Sequence, residues 1–162
     1  MSSFFRVEFF LLLFIAAILG IFLCGLPLFE TPGYEYALAV ALTASLFSGL
    51  LSASLPIYFR RNNSFMIPTG LYKLIFRSFC EGQAIVLVMC SISVLNGFFV
   101  PFCNLKTGLL FFVLMPFFSI FFAVSVGTAI GLFVSSLIRA RLLFVAFFFL
   151  TLASGFFSFY FT

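Results

Sequence analysis

The chain has 162 residues, of which 65% are hydrophobic, with eight Lys and Arg against four acids and no His. A soluble domain carries about a quarter charged residues; here the fraction is 7%. The net charge of +4 does not point to nucleic acid as a partner, because the bases flank hydrophobic runs, where they set membrane topology.

Uncharged stretches occupy residues 9–29, 36–59, 82–105, 107–138 and 142–162. A helix of about 20 apolar residues crosses a bilayer. A transmembrane β-barrel would instead alternate apolar and polar residues, and Phe9, Phe10, Leu11, Leu12, Leu13, Phe14 and Ile15 do not alternate. The expected fold is an all-α bundle of about five transmembrane helices, a single transmembrane domain over residues 1–162 with the bilayer as its first partner. The 30 Phe residues read as a compositional habit, Phe standing where Leu would serve.

The first apolar run, preceded by Arg6, has the outline of a signal peptide. It lacks a small-x-small cleavage site, and Leu23 before Cys24 is too large for a lipoprotein box, so it is read as an uncleaved first helix. Ala16, Gly20 and Cys24 give it a short stripe of small residues. In the turn that follows, Thr31 is the expected N-cap and Pro32 the first helical residue. Glu35 falls in the first turn, where the helix dipole favours an anion, and Tyr34 and Tyr36 suit the headgroup belt. Glu30 and Glu35 are alternatively an external mouth that attracts cations.

Along the second span Ala37, Ala41, Ser45, Gly49 and Ala53 recur every fourth residue. The loop after it opens with Arg60, Arg61, Asn62, Asn63 and Ser64, whose glycosylation triplet is idle if cytoplasmic. Residues 66–81 then read as a separate amphipathic helix in the cytoplasmic interface, opened by Pro68. Leu71, Leu74, Ile75, Ser78 and Phe79 share one face, and Lys73, Arg77 and Glu81 another. This segment is either an elbow aiming the third span or a docking surface, through Leu71, Lys73, Leu74, Arg77 and Glu81, for a cytoplasmic partner such as an ATPase. Within the third span Gln83 and Asn96 are expected to hydrogen-bond between helices.

The fourth run would make a helix about 48 Å long at 1.5 Å per residue, against a hydrocarbon core of about 30 Å. One long helix kinked at Pro116 is expected; the alternative is a re-entrant piece over residues 107–115. Ser119, Ala123, Gly127, Gly131 and Ser135 recur every fourth residue, with Gly127 and Gly131 forming a GxxxG. Small residues at this spacing let helix backbones approach in lipid. The second and fourth spans are therefore expected to touch each other, or one of them to face another subunit. The last span reaches Thr162 without a charged tail, which suits either a terminus at the outer interface or a chain cut after its fifth helix.

With five spans, placing the amino terminus in the cytoplasm puts seven of the eight bases inside and Lys106 alone outside. The carboxyl terminus is then external. No ionisable residue falls near the centre of a span, which argues against a proton-coupled carrier. Without His or Asp there is no Ser–His dyad and no His metal cluster. Cys24, Cys80, Cys90 and Cys103 contain no CxxC pair. Glu8 and Glu81 read as lone acids. No catalytic residue, cofactor site or metal site is expected, and the chain is not read as an enzyme.

Residues 25–35, with Gly33, Tyr34 and Glu35 between the first two helices, and the small-rich stretch 37–53 after them resemble the amino-terminal membrane portion of uncharacterised bacterial permease-like inner-membrane proteins. Pro116, Phe117, Phe118 and Ser119 before the glycine stripe, with Arg139, Ala140 and Arg141 after it, are similar to the same group. The resemblance implies a bacterial inner membrane and transport, and it supplies no ligand residues. The expected function is a membrane subunit of a transport assembly of unknown substrate. The alternative is a non-catalytic structural or assembly subunit of a larger complex; both imply further membrane subunits as partners.

Overall fold

The computed structural model describes residues 3–26, 33–61, 68–97 and 105–161. It contains five α-helices and, among the described residues, no strand: α1 (Ser3–Cys24), α2 (Tyr34–Arg61), α3 (Pro68–Asn96), α4 (Leu105–Phe133) and α5 (Leu137–Phe161). All five are long and apolar enough to cross a membrane. The chain is an all-α, multi-pass membrane protein.

Successive helices run in opposite directions. The start of α1 packs with the end of α2 and the start of α3, where Phe9, Leu12 and Phe59 surround Leu51, Leu55 and Leu74. At the opposite end Tyr36 at the start of α2 meets Gly20 of α1 and Met89 of α3, and its ring lies 5.6 Å from that of Phe112 in α4. α2 is central: 61% of its apolar window is buried, against 11% for α1 and for α5.

The most extensive contact joins α2 to α4, which run parallel. It is built on the two small-residue stripes. A methyl group added at Gly127 would fall on Ser52 Oγ and 2.5 Å from the Gly49 carbonyl oxygen. One added at Gly131 would fall on the Ala53 carbonyl oxygen and 3.1 Å from Pro56 Cδ. Ala37, Ala41, Ser45, Gly49 and Ala53 are all buried. Two more helices reach the same pair through glycines, since a methyl group at Gly49 would meet the Phe144 ring of α5, and one at Gly82 of α3 would lie 2.9 Å from Ser48 Cβ and 2.7 Å from Ile120.

Three sequence expectations change here. Residues 66–81 are not a separate interfacial helix: from Pro68 onward they are the beginning of α3, and the third span is Tyr72–Asn96 rather than 82–105. The chain carries no breaker between Glu81 and Gly82, and Gly82 supplies the flat surface that seats α3 on α2 and α4. The fourth span does not extend to residue 138. Its helix runs through the buried Pro116 and stops at Phe133, with residues 134–136 non-helical. The stop is set by the next helix. Ser136 takes the N-cap position of α5, its carbonyl accepting the Ala140 N–H at 3.0 Å, and serine is among the favoured residues there. The fifth span therefore begins at Leu137, not 142, and Ser135 sits in the break rather than on the α4 stripe. Finally, α2 opens with the Ala37 N–H donating to the Gly33 carbonyl at 3.0 Å; Thr31 and Pro32 lie outside the described residues.

Candidate functional site

Antiparallel packing gathers most of the described charged side chains at one end of the bundle, Glu35 lying at the other. Arg60, near the end of α2, donates from Nη2 to the Leu132 carbonyl at 2.6 Å, satisfying an orphan acceptor in the last turn of α4 and placing a cation at the negative end of that helix. On α3, Arg77 Nε donates to Glu81 Oε1 at 2.8 Å across one helical turn. The third contact spans the molecule: Arg141 Nη2 on α5 donates to both carboxylate oxygens of Glu8 on α1, at 3.0 Å each. Neither acid is alone, contrary to the sequence reading. Only the bundle topology, which brings the starts of α1 and α5 together, could have paired Glu8 with Arg141.

Beneath that pair lies a groove. α1 and α5 make no backbone approach to each other, so the Glu8–Arg141 ion pair bridges a gap that α2 floors with Leu50 and Leu51. Val7, Leu11 and Leu12 form the α1 wall, and the space measures about 250 Å³. Leu51 is buried, whereas Val7 and Leu11 are exposed, so the groove opens sideways. A second, more polar cavity of about 440 Å³ lies where α4 gives way to α5, bordered by Tyr58, Arg60, Ser135 and Ser136. The third, about 140 Å³, lies between α2, α4 and α5 beside Ser45, Ser119 and Thr151.

The docking residues expected on residues 66–81 separate. Leu74 is turned inward, 4% exposed against Leu51 and Leu55, so it belongs to the core rather than to a docking surface. Lys73 is exposed beside the stacked rings of Tyr72 and Phe76, 6.1 Å apart, and the side chain of Leu71 lies outside the described residues. Arg77 and Glu81 are half-buried and engaged with each other. Of the two acids expected to form an external mouth, Glu35 is exposed in the first turn of α2 and Glu30 lies outside the described residues, as do Asn62, Asn63, Ser64 and Cys103.

Tyr36 is the residue the sequence misplaced. Tyr34 is exposed, but Tyr36 is 0% exposed, its hydroxyl 3.3 Å from the Met89 carbonyl and 3.4 Å from the Gly20 carbonyl, able to donate to one at a time. The small residue Gly20 makes room for it. The available signal is that Tyr36 stands four residues before Val40 and eight before Ala44, on one apolar face of α2 that the structure buries. Gln83 keeps its amide nitrogen buried without a hydrogen-bond partner rather than bonding across helices through it.

The hydroxyls inside α2 do not make a polar path. Ser45, Ser48, Ser52 and Ser54 each donate to a carbonyl three or four residues back in their own helix, the local pattern by which serine satisfies itself. Among the described residues no three Cys or Glu side chains gather as a metal ion would require. No family model matches the chain, and comparison with curated proteins and with solved structures likewise finds no match.

Proposed function

We propose that this chain is the membrane-embedded subunit of a transport assembly, in which the edge between α1 and α5 opens while the body made of α2, α3 and α4 stays together. The observation that carries this reading is the asymmetry of the packing. α1 rests mainly on α3, α5 rests on α2 and α4, and among the described residues the two edges meet through Glu8 and Arg141. Such an arrangement can open along one line without breaking the α2–α4 contact. The excess of bases in its loops supports a cytoplasmic position for the charged end, and the resemblance implies a bacterial inner membrane. The exposed Tyr72, Lys73 and Phe76 face is the proposed seat of a cytoplasmic ATPase.

Gentle solubilisation, pull-down of the full chain and mass spectrometry test it. A stoichiometric ATPase is the expected companion, with Lys73→Glu uncoupling transport while the complex still forms. Companions without a nucleotide-driven subunit, together with an inert Lys73→Glu, would sink the transport reading. A second reading, a structural or assembly subunit, is favoured by the distal half of α5. There Leu150 and Phe156 are exposed and a methyl group at Gly155 would meet nothing within 4 Å, a surface that suits a neighbouring subunit.

A further inference from the structure

The groove between α1 and α5 has an apolar body and a dipolar lip. We propose that it holds one bilayer phospholipid whose headgroup carries a phosphate and a primary ammonium, as phosphatidylethanolamine does. An acyl chain lies along Leu11 and Leu12 over Leu50 and Leu51, with the phosphate at Arg141 and the ammonium at Glu8. The inference does not depend on the transport reading, since a structural subunit would hold such a lipid equally well.

The body of the groove sets the chain. Its residues lie in segments apolar enough to span the membrane, it opens sideways past Val7 and Leu11, and what lies there in a bilayer is hydrocarbon. At about 250 Å³ it is below the roughly 300–1,000 Å³ of a site for a compact ligand and suits one flexible chain. The lip sets the headgroup. Glu8 and Arg141 stand less than two turns inside the starts of their helices, the depth at which headgroups begin.

Arg141 spends one nitrogen, Nη2, on both oxygens of Glu8, and its Nε is buried with no partner. An unsatisfied buried donor is costly, and a phosphate oxygen beside it would supply the missing acceptor. The Glu8 carboxylate meanwhile accepts from a single nitrogen and keeps lone pairs that the three N–H donors of a primary ammonium can use. A headgroup with net negative charge would meet Glu8 with repulsion. A quaternary ammonium offers no N–H donor at all. The dipolar pair therefore selects a dipolar headgroup that can donate.

The test is lipid retention by the purified full chain. It is exchanged into nanodiscs holding equal parts of ethanolamine, choline and glycerol phospholipids with matched acyl chains, then released for native mass spectrometry. One ethanolamine lipid is expected to remain, favoured over the others by roughly tenfold. Glu8→Gln is expected to bring the ethanolamine and choline forms level and to raise the glycerol form, and Leu50→Trp, which fills the floor, to remove all three. Equal retention of the three lipids by the unmodified chain would overturn the proposal as annular lipid only. Preference for the glycerol lipid would overturn it in favour of a plain anion site, and an unchanged preference in Glu8→Gln would overturn the role given to the lip. The unmodified chain decides even where Leu50→Trp does not fold.

Discussion

The α2–α4 seam and the α1–α5 edge lie in one bundle and are built as opposites, the seam from small residues and the edge from long ones. In the seam, backbone lies against backbone: Gly127 and Gly131 stand where any side chain would strike Gly49, Ser52 or Ala53. Lipid offers no hydrophobic drive to bring helices together, so association there comes from close packing. At the edge, two helices with mostly exposed faces are joined by one ion pair over a groove. Rigidity in this molecule follows from where side chains are missing, and freedom from where they are long. Among the described residues Gly20, Gly49, Gly82, Gly127 and Gly131 sit at helix crossings with a neighbour closer than 3.4 Å to the absent methyl group.

The largest effect is therefore expected in the seam. Gly131→Ala drives a methyl group into the Ala53 carbonyl, an atom held by its own helix that cannot turn away, and should cost on the order of 3 kcal/mol. Gly127→Leu or Gly131→Leu should prevent folding of the monomer. Fluorescence-detected gel filtration after graded heating in detergent reads both; a full-height monodisperse peak from Gly131→Leu would break the contrast. These glycines were candidates for contacts between subunits, but their neighbours lie in the same chain, so loss of assembly in such variants would report loss of fold. Gly49→Ala should follow at about 1–2 kcal/mol, since it meets the ring of Phe144, which is buried but can shift on its χ angles.

That the bundle is helical, and that α2 and α4 carry matching stripes of small residues, is legible in the chain because both are periodic and local. What could not be read was how charges and breaks behave once helices are neighbours. Lys73, Arg77 and Glu81 looked like the polar face of a helix lying flat, yet Gly82 continues the helix and the Arg77–Glu81 pair lets it enter the membrane. The uncharged run from 107 to 138 hid its own break, because Ser135 and Ser136 are uncharged and small and interrupt no charge pattern, while Pro116, the louder signal, is accommodated inside α4. The Glu8–Arg141 pair spans 133 positions; no local pattern contains it.

Tyr36 lies between the two regimes, tying α1 and α3 to the start of α2. Tyr36→Phe keeps the ring that packs on Phe112 and removes only the hydroxyl. Because its hydrogen bonds are long, at 3.3 and 3.4 Å, the expected cost is at the lower end of about 0.5–1.5 kcal/mol. Replacing it with Ala instead should approach the seam variants, as a fully buried aromatic is lost. Comparing the two by thermal melting separates the hydroxyl from the ring; equal losses would mean that the polar tie, not the packing, holds α1.

The smallest energetic effect is expected at the edge, where it should also be the largest in geometry. Glu8 and Arg141 are each a quarter to a third exposed, and a pair of that kind contributes below about 1 kcal/mol. Glu8→Gln should hardly move the melting temperature, much as Gly155→Ala, which meets nothing within 4 Å, should stay within about 0.5 kcal/mol of the parent. The two differ in what they release. Spin labels at Val7→Cys and Leu142→Cys, both positions exposed, in a chain otherwise freed of Cys, report the width of the groove. With Gly155→Ala the distance distribution should match the parent; with Glu8→Gln it should broaden toward longer separations, because no helix contact remains to hold α1 to α5. An unchanged distribution in Glu8→Gln would mean that α3 and α2 fix the edge as firmly as the seam, and the contrast between the two regions would be one of composition alone.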